Sequence, residues 1–272
     1  MSLLSQATVG TVGLLCKSFL KIGCSSVTVN GLEHLYGALE SDERNQGRGV
    51  VTVSNHISTM DDPLVWGILP LRYHLNARMT RWTLGASDIM FTNPVFSAFF
   101  RNGQVIETFR GKGIFQPAVD LAIKKLNRGA WIHLFGEGRV NQPNRAPGHS
   151  PVDLIRFKWG IGRIVMETAQ PPIIIPMWLT GIDQVMPEGR SVPWKFFPRP
   201  GAKLSITFGK PVENAAIRDT LGLAVSHGDI PEPPREWRNA VEVARIRSAV
   251  TALLQSKVEE LGREVVGVGK GV

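Results

Sequence analysis

The chain has 272 residues, 43% of them hydrophobic, and a formal net charge of +8 at pH 7. That length and apolar content suit one globular domain with a substantial core, and the positive balance calls for an acidic partner or surface. Nucleic acid is disfavoured, since no Lys/Arg block, zinc-ligand spacing or RNA-binding signature occurs. The two cysteines, Cys16 and Cys24, form no disulfide framework, metal or redox pattern.

The first acidic residue is Glu33, and Lys17 and Lys21 precede it in a stretch rich in Ser, Thr, Val and Leu. Residues 1–25 therefore read as a targeting segment or a basic monotopic anchor. Their uncharged part, 1–16, falls short of the about 20 apolar residues that a spanning helix needs. A single domain is expected over 26–272. Within it, Ser26 to Asn30 predicts a strand and Gly31 to Glu40 a helix, followed by a charged, Gly-rich loop to Gly49.

Val50 to Ser54 is a β-branched run that ends abruptly in Asn55-His56. Asp61 stands five residues after the histidine, and Pro63 then opens an apolar segment that Pro70 ends. This reads as strand, turn and helix start, with Asp62 as the cap. Five residues along a regular helix would leave His56 and Asp61 well apart in azimuth. Contact between them requires a non-helical turn, and such a contact fixes the imidazole tautomer and raises its basicity.

Arg81 to Ala86 predicts a strand, the apolar stretch after Pro94 a helix, and Gln104 to Thr108 another strand. Phe115 to Asn127 is an amphipathic helix closed by Gly129, with Lys124, Lys125 and Arg128 where the helix dipole favours cations. Ala130 to Phe135 is a strand leading into Gly136-Glu137-Gly138-Arg139, a turn whose glycines and arginine suit an anion. Phe109-Arg110-Gly111-Lys112-Gly113 is a second cationic turn. His133, inside a strand, reads as structural.

Residues 140–151 are loop, Lys158 to Thr168 helix, and Ile173 to Trp178 a strand buried on both faces. The segment 186–201 mixes aromatic and basic residues around Pro193-Trp194-Lys195-Phe196-Phe197, as at a lipid headgroup boundary. Lys203 to Phe208 is a strand, and Glu236 to Gly262 a long terminal helix. Alternating strands and helices predict an α/β fold with a mixed, mostly parallel sheet flanked by helices, its site at the C-terminal strand ends.

His-x-x-x-x-Asp at 56–61, Arg110-Gly111, Phe-x-Glu-Gly at 135–138 and Pro-Ile-Ile-Ile-Pro at 172–176 resemble, in that order, the four blocks of the glycerolipid acyltransferase family. The likeness covers roughly Val50 to Trp178. Finer features resemble one branch of it: Val-Ser-Asn-His-x-Ser-x-Met-Asp-Asp-Pro at 53–63, Arg81-Trp82-Thr83, and Arg156-Phe157-Lys158-Trp159-Gly160-Ile161-Gly162-Arg163. One departure is Gly136, where the family usually has Pro, which is expected to loosen that turn.

The resemblance implies acyl transfer from an intact phospholipid to a lysophospholipid without acyl-CoA, metal or other cofactor. Cardiolipin, monolysocardiolipin and phosphatidylcholine are the implied substrates. The implied place is an anionic mitochondrial membrane surface, facing the intermembrane space. His56 would act as general base and acid, Asp61 would orient it, and Arg110, Gly111, Glu137, Gly138 and Arg139 would shape a headgroup phosphate site. Alternatives of other kinds are an acyl-CoA-dependent lysophosphatidate acyltransferase and a non-catalytic lipid-binding protein.

Overall fold

Val50–Ser54 is buried along its whole length, and so is most of Ile173–Thr180, because helices cover both faces of the sheet. The computed structural model describes residues 2–143, 150, 152–222 and 240–267. In chain order the elements are α1 (Leu3–Ile22), β1 (Ser26–Asn30), α2 (Leu32–Glu40), β2 (Val50–Ser54), α3 (Asp61–Trp66) and α4 (Leu71–His74). Then follow β3 (Trp82–Ala86), α5 (Ser87–Met90), α6 (Pro94–Asn102), β4 (Val105–Thr108), α7 (Pro117–Leu126) and β5 (Trp131–Phe135). The last are α8 (Gly160–Met166), β6 (Ile173–Thr180), α9 (Ile182–Val185), β7 (Lys203–Phe208), α10 (Asn214–Thr220) and α11 (Ala240–Val266).

The seven strands lie in the order β1-β7-β6-β2-β5-β3-β4. All neighbours are parallel except β6 and β7. The expected mixed, mostly parallel α/β sheet is therefore what forms. Most elements stand where the sequence places them. The loop expected at 140–151 lies partly outside the described residues, as do the first residues of the expected terminal helix. The short helices α4, α5, α9 and α10 were not anticipated, because segments of four to seven residues are too brief to show a period.

Side-chain alternation sorts the core into two layers. Val51, Val53, Ile132, Leu134 and Ile174 face α7, α8, α10 and α11. Val50, Trp131, Ile175, Met177 and Leu179 face α1, α2, α3 and α9. On this second face the same alternation directs Thr52, His133 and Phe135 toward α3, where the candidate site lies.

α1 is long and apolar enough to cross a membrane by length and composition. Its row Ser5, Val9, Gly13, Cys16 and Leu20 is nevertheless buried against the domain. A Cβ on Gly13 would meet the His74 ring at 2.8 Å, and one on Gly67 would meet Cys16 at 3.0 Å. On the other face of the sheet α8 and α11 approach as closely: a Cβ on Gly162 would stand 2.4 Å from the Arg247 carbonyl oxygen and 2.5 Å from Thr251 Oγ1.

Gly162→Ala should therefore push α8 off α11 and destabilise the fold by about 1–3 kcal/mol, the usual effect of overpacking. Urea unfolding checks this, and an unchanged midpoint would contradict the contact.

Candidate active site

Register brings the first and third sequence blocks together. Ser54 at the end of β2 pairs with Phe135 at the end of β5. Asn55-His56 and Gly136-Glu137 thus leave the sheet side by side, although the two segments are 81 residues apart. Asn55 continues the sheet with its side chain: its Nδ2 donates to the Leu179 carbonyl at 2.9 Å, and its Oδ1 accepts from the Leu179 N–H at 2.8 Å. The backbone leading to His56 is thereby fixed to β6.

The turn from Ile57 to Met60 is non-helical, as contact between His56 and Asp61 requires. His56 Nδ1 lies 2.8 Å from Asp61 Oδ2. The same oxygen accepts the N–H groups of Ile57 and Ser58 at 2.7 and 2.8 Å. Asp61 is fully buried, and its Oδ1 has no hydrogen-bond partner among the described residues. Burial raises the Asp61 pKa, while the hydrogen bond and charge of His56 and the two backbone donors oppose that rise. With Nδ1 committed to Asp61 the imidazole presents Nε2 as its remaining basic atom. Its ring stacks on Phe135 at 4.1 Å between centroids and is 18% exposed as a side chain.

Glu137 corrects an expectation. It does not line a phosphate site. It is fully buried behind the turn, where Oε1 accepts the His56 N–H at 2.9 Å and Oε2 accepts from Asn141 Nδ2 at 2.7 Å and the Ile155 N–H at 2.9 Å. Three donors satisfy it, and burial raises its pKa. The Asn141 N–H returns a 2.6 Å bond to the His56 carbonyl. The expected looseness at Gly136 is also absent. The Phe157 ring lies 2.4 Å from where a Cβ would stand, and the Lys158 N–H donates to the Gly136 carbonyl at 2.9 Å. Close packing replaces the stiffness of a proline.

Asp62 is likewise not a cap. Its carboxylate accepts from Arg81 and, at 3.1 Å, from Trp66 Nε1. Burial pushes its pKa up, but the Arg81 guanidinium outweighs that and leaves it depressed. Ser58 accepts from the Met60 N–H and is fully buried, a local bond of the turn. His133 is structural, 2.8 Å from Thr52 Oγ1 and pushed by burial down to about 3, so that it is neutral.

The cations divide. Gly138 adopts a left-handed conformation, φ +68°, which glycine alone accepts freely. Arg139 beside it is exposed. Lys158, not anticipated as a site residue, lies over the same turn, its Cγ 3.0 Å from where a Gly138 Cβ would be. The Arg156-Phe157-Lys158 motif carried that signal, but only folding shows which turn it covers. Arg110 and Gly111 are exposed at the end of β4, two strands from β5. Arg110 pairs with Asp88 at 3.5 Å there, not with the 136–139 turn. No group of three or more metal-ligating side chains occurs among the described residues.

An oriented imidazole at a strand end, beside a cationic turn, suits proton transfer to and from oxygen at a phosphorylated substrate. A family model described as acyltransferase matches residues 26–180. The tafazzin-type protein of Dictyostelium discoideum is 37% identical over 76% of this chain and 68% of its own length. Tafazzin of Saccharomyces cerevisiae is 32% identical over 89% of this chain and 73% of its own length. An N-acylphosphatidylethanolamine synthase of Arabidopsis thaliana is 35% identical over 70% and 64%. The crystal structure of the 1-acyl-sn-glycerophosphate acyltransferase of Thermotoga maritima shares the fold, with a TM-score of 0.54 and 20% identity over 94% of this chain and 79% of that one. The chain belongs to the acyltransferase family, in its tafazzin branch. It is an enzyme that transfers acyl groups.

Asp62→Asn should destabilise the protein by on the order of 3 kcal/mol, since it strands a nearly buried Arg81. The depressed Asp62 pKa sets the sign with pH. The advantage of the native residue is complete above about pH 4, the ordinary aspartate range, and is lost as pH falls through the lower folded-state value. Urea titrations of both proteins between neutral and acid pH measure the gap, and a gap independent of pH would refute the ion pair.

Proposed function

We propose that the protein moves an acyl chain from a phospholipid to a lysophospholipid without acyl-CoA, and that cardiolipin remodelling at mitochondrial membranes is among its uses. The observation that carries this reading is the 2.8 Å contact between His56 Nδ1 and buried Asp61, which leaves Nε2 as the free base. Nε2 takes the proton of the acceptor's glycerol hydroxyl as that oxygen attacks the donor ester carbonyl. The tetrahedral intermediate then expels the donor's glycerol oxygen, which receives the proton from the imidazolium. Asp61 stabilises the imidazolium between these steps. One ester replaces a nearly identical one, so neither step needs an external energy source.

Gly138, Arg139 and Lys158 form the near phosphate site, next to His56. Arg110 and Gly111 form a far one at the rim, where a second headgroup reaches. The membrane surface is supported by exposed apolar side chains around the same end of the sheet. Trp194, Phe196 and Phe197 are 62%, 66% and 58% exposed. Their loop is tied to α1 by a 2.7 Å bond from the Gly201 N–H to the Gly23 carbonyl, and to the site by Gln142 Nε2 on the Met186 carbonyl. The outer residues of α1 and the exposed Val95, Phe96 and Phe99 of α6 add further apolar surface.

The relative named for N-acylphosphatidylethanolamine synthesis favours a second reading, in which an amine replaces the hydroxyl as acceptor. Pure protein incubated with phosphatidylcholine and monolysocardiolipin, without CoA, should give cardiolipin and lysophosphatidylcholine by mass spectrometry. In parallel incubations, transfer only when acyl-CoA is supplied would replace this reading with the CoA-dependent one, and N-acylation of added phosphatidylethanolamine in place of lysolipid acylation would replace it with the second.

In that assay His56→Ala and Asp61→Ala should each lower turnover by about 10²–10⁴-fold, with the circular dichroism spectrum of His56→Ala unchanged. Wild-type turnover in His56→Ala would remove the general base. Flotation with anionic vesicles should weaken with salt, whose screening length is about 8 Å at physiological strength, and should fall further when Trp194 and Phe197 are both changed to Glu. Equal flotation with neutral and anionic vesicles at low salt would defeat the electrostatic part.

A further inference from the structure

α3 begins at Asp61 and is six residues long. A helix of that length does not sustain itself, because nucleation outweighs the few bonds it makes. Its first residue is held by His56, Ile57 and Ser58 through the Asp61 carboxylate. Its other end is held from outside the domain's sheet. The Lys17 ammonium of α1 lies 3.4, 3.4 and 3.0 Å from the carbonyl oxygens of Gly67, Ile68 and Leu69. An ammonium has three N–H donors, and here they meet three carbonyls. A cation at a helix C-terminus also complements the dipole. Contact beneath it is close: Gly67 lies against Cys16 and Leu20, and Gly13 against His74. The anchor reading of residues 1–25 treats Lys17 as one basic residue among two, and gives it no such partner.

We infer that Lys17 is a positioning residue for the His56–Asp61 pair, acting through α3 by holding the C-terminal end of that helix against α1. The inference rests on the roles proposed above for His56 and Asp61. The buried face of α1 holds the helix that carries Asp61, while Leu3, Leu4, Leu14 and Leu15 are exposed on it. The helix proposed to rest on lipid is thus also the one that sets the catalytic turn. Lifting α1 from the domain would free the far end of α3 and let Asp61 drift from Nδ1.

Lys17→Met keeps the apolar stem and removes the ammonium, Lys17→Gln keeps two donors without charge, and Lys17→Arg restores a cation. In the full chain on phosphatidylcholine and monolysocardiolipin vesicles, Lys17→Met should lower kcat roughly tenfold, the scale of a small misplacement of catalytic groups. KM should stay within about twofold, and the downfield Nδ1 proton resonance of His56 should broaden or move upfield. Lys17→Arg should recover most of the rate and the resonance. A Lys17 with only a structural role would lower the unfolding midpoint and leave kcat of the folded protein and the resonance unmoved, and that result overturns the inference. If Lys17→Met fails to fold, the same two readouts on Lys17→Gln decide it. His56→Ala in the same assay separates the failures. Activity in His56→Ala removes the proposed base, whereas inactive His56→Ala beside fully active Lys17→Met removes only the part assigned to Lys17.

Discussion

A single buried oxygen, Asp61 Oδ2, gathers two backbone N–H groups and one imidazole nitrogen within 2.8 Å, and the site depends on it. The two backbone bonds close the turn after β2, and the third sets the histidine tautomer. The turn and the orientation of the His56 ring are thus set by the same atom. A carboxylate with no exposure is costly unless donors converge on it, which is why the turn adopts the shape that supplies them. Glu137 does the same from behind, where its carboxylate binds the His56 N–H. One buried carboxylate holds the side chain of His56 and another holds its main chain.

Around the His56 ring the surroundings are aromatic. Phe135 stacks on His56, His133 meets Phe135 edge-on at 4.4 Å, and Trp66 meets His133 at 5.0 Å. Burial keeps His133 neutral, so no second imidazolium stands near His56. Arg81 neutralises Asp62 one residue away, and the low local dielectric makes that pairing matter more than it would in water. The adjacent aspartates Asp61 and Asp62 therefore have separate partners, one the His56 ring and the other Arg81.

The same logic explains Gly136. A proline there would stiffen the turn through its own ring. Here stiffness comes from Phe157, pressed against the glycine from another segment, while Lys158 covers Gly138. The segment 155–158 thereby serves as a splint for the 136–138 turn, through the Ile155 and Lys158 N–H groups as well as through side chains. Constraint lost at one residue is supplied by a neighbour distant in sequence, as close packing allows.

Local patterns determined the strands, most helices and the His56 turn, because period, caps and turn residues act over a few residues. The β-branched run Val50–Ser54, the break at Asn55-His56 and the family blocks made the α/β class and the His56–Asp61 contact legible from sequence. What the chain could not disclose in one dimension was partnership. Glu137 looks like a surface group beside two glycines, but the pairing of Ser54 with Phe135 turns it inward onto His56. Asp62 looks like a cap until Arg81 arrives from the residue before β3. Lys17 looks like part of an anchor until α1 docks and brings it to the end of α3. In each case a long-range register or helix packing sets the electrostatic environment, and charge interactions depend on distance in space, which the order of residues does not contain.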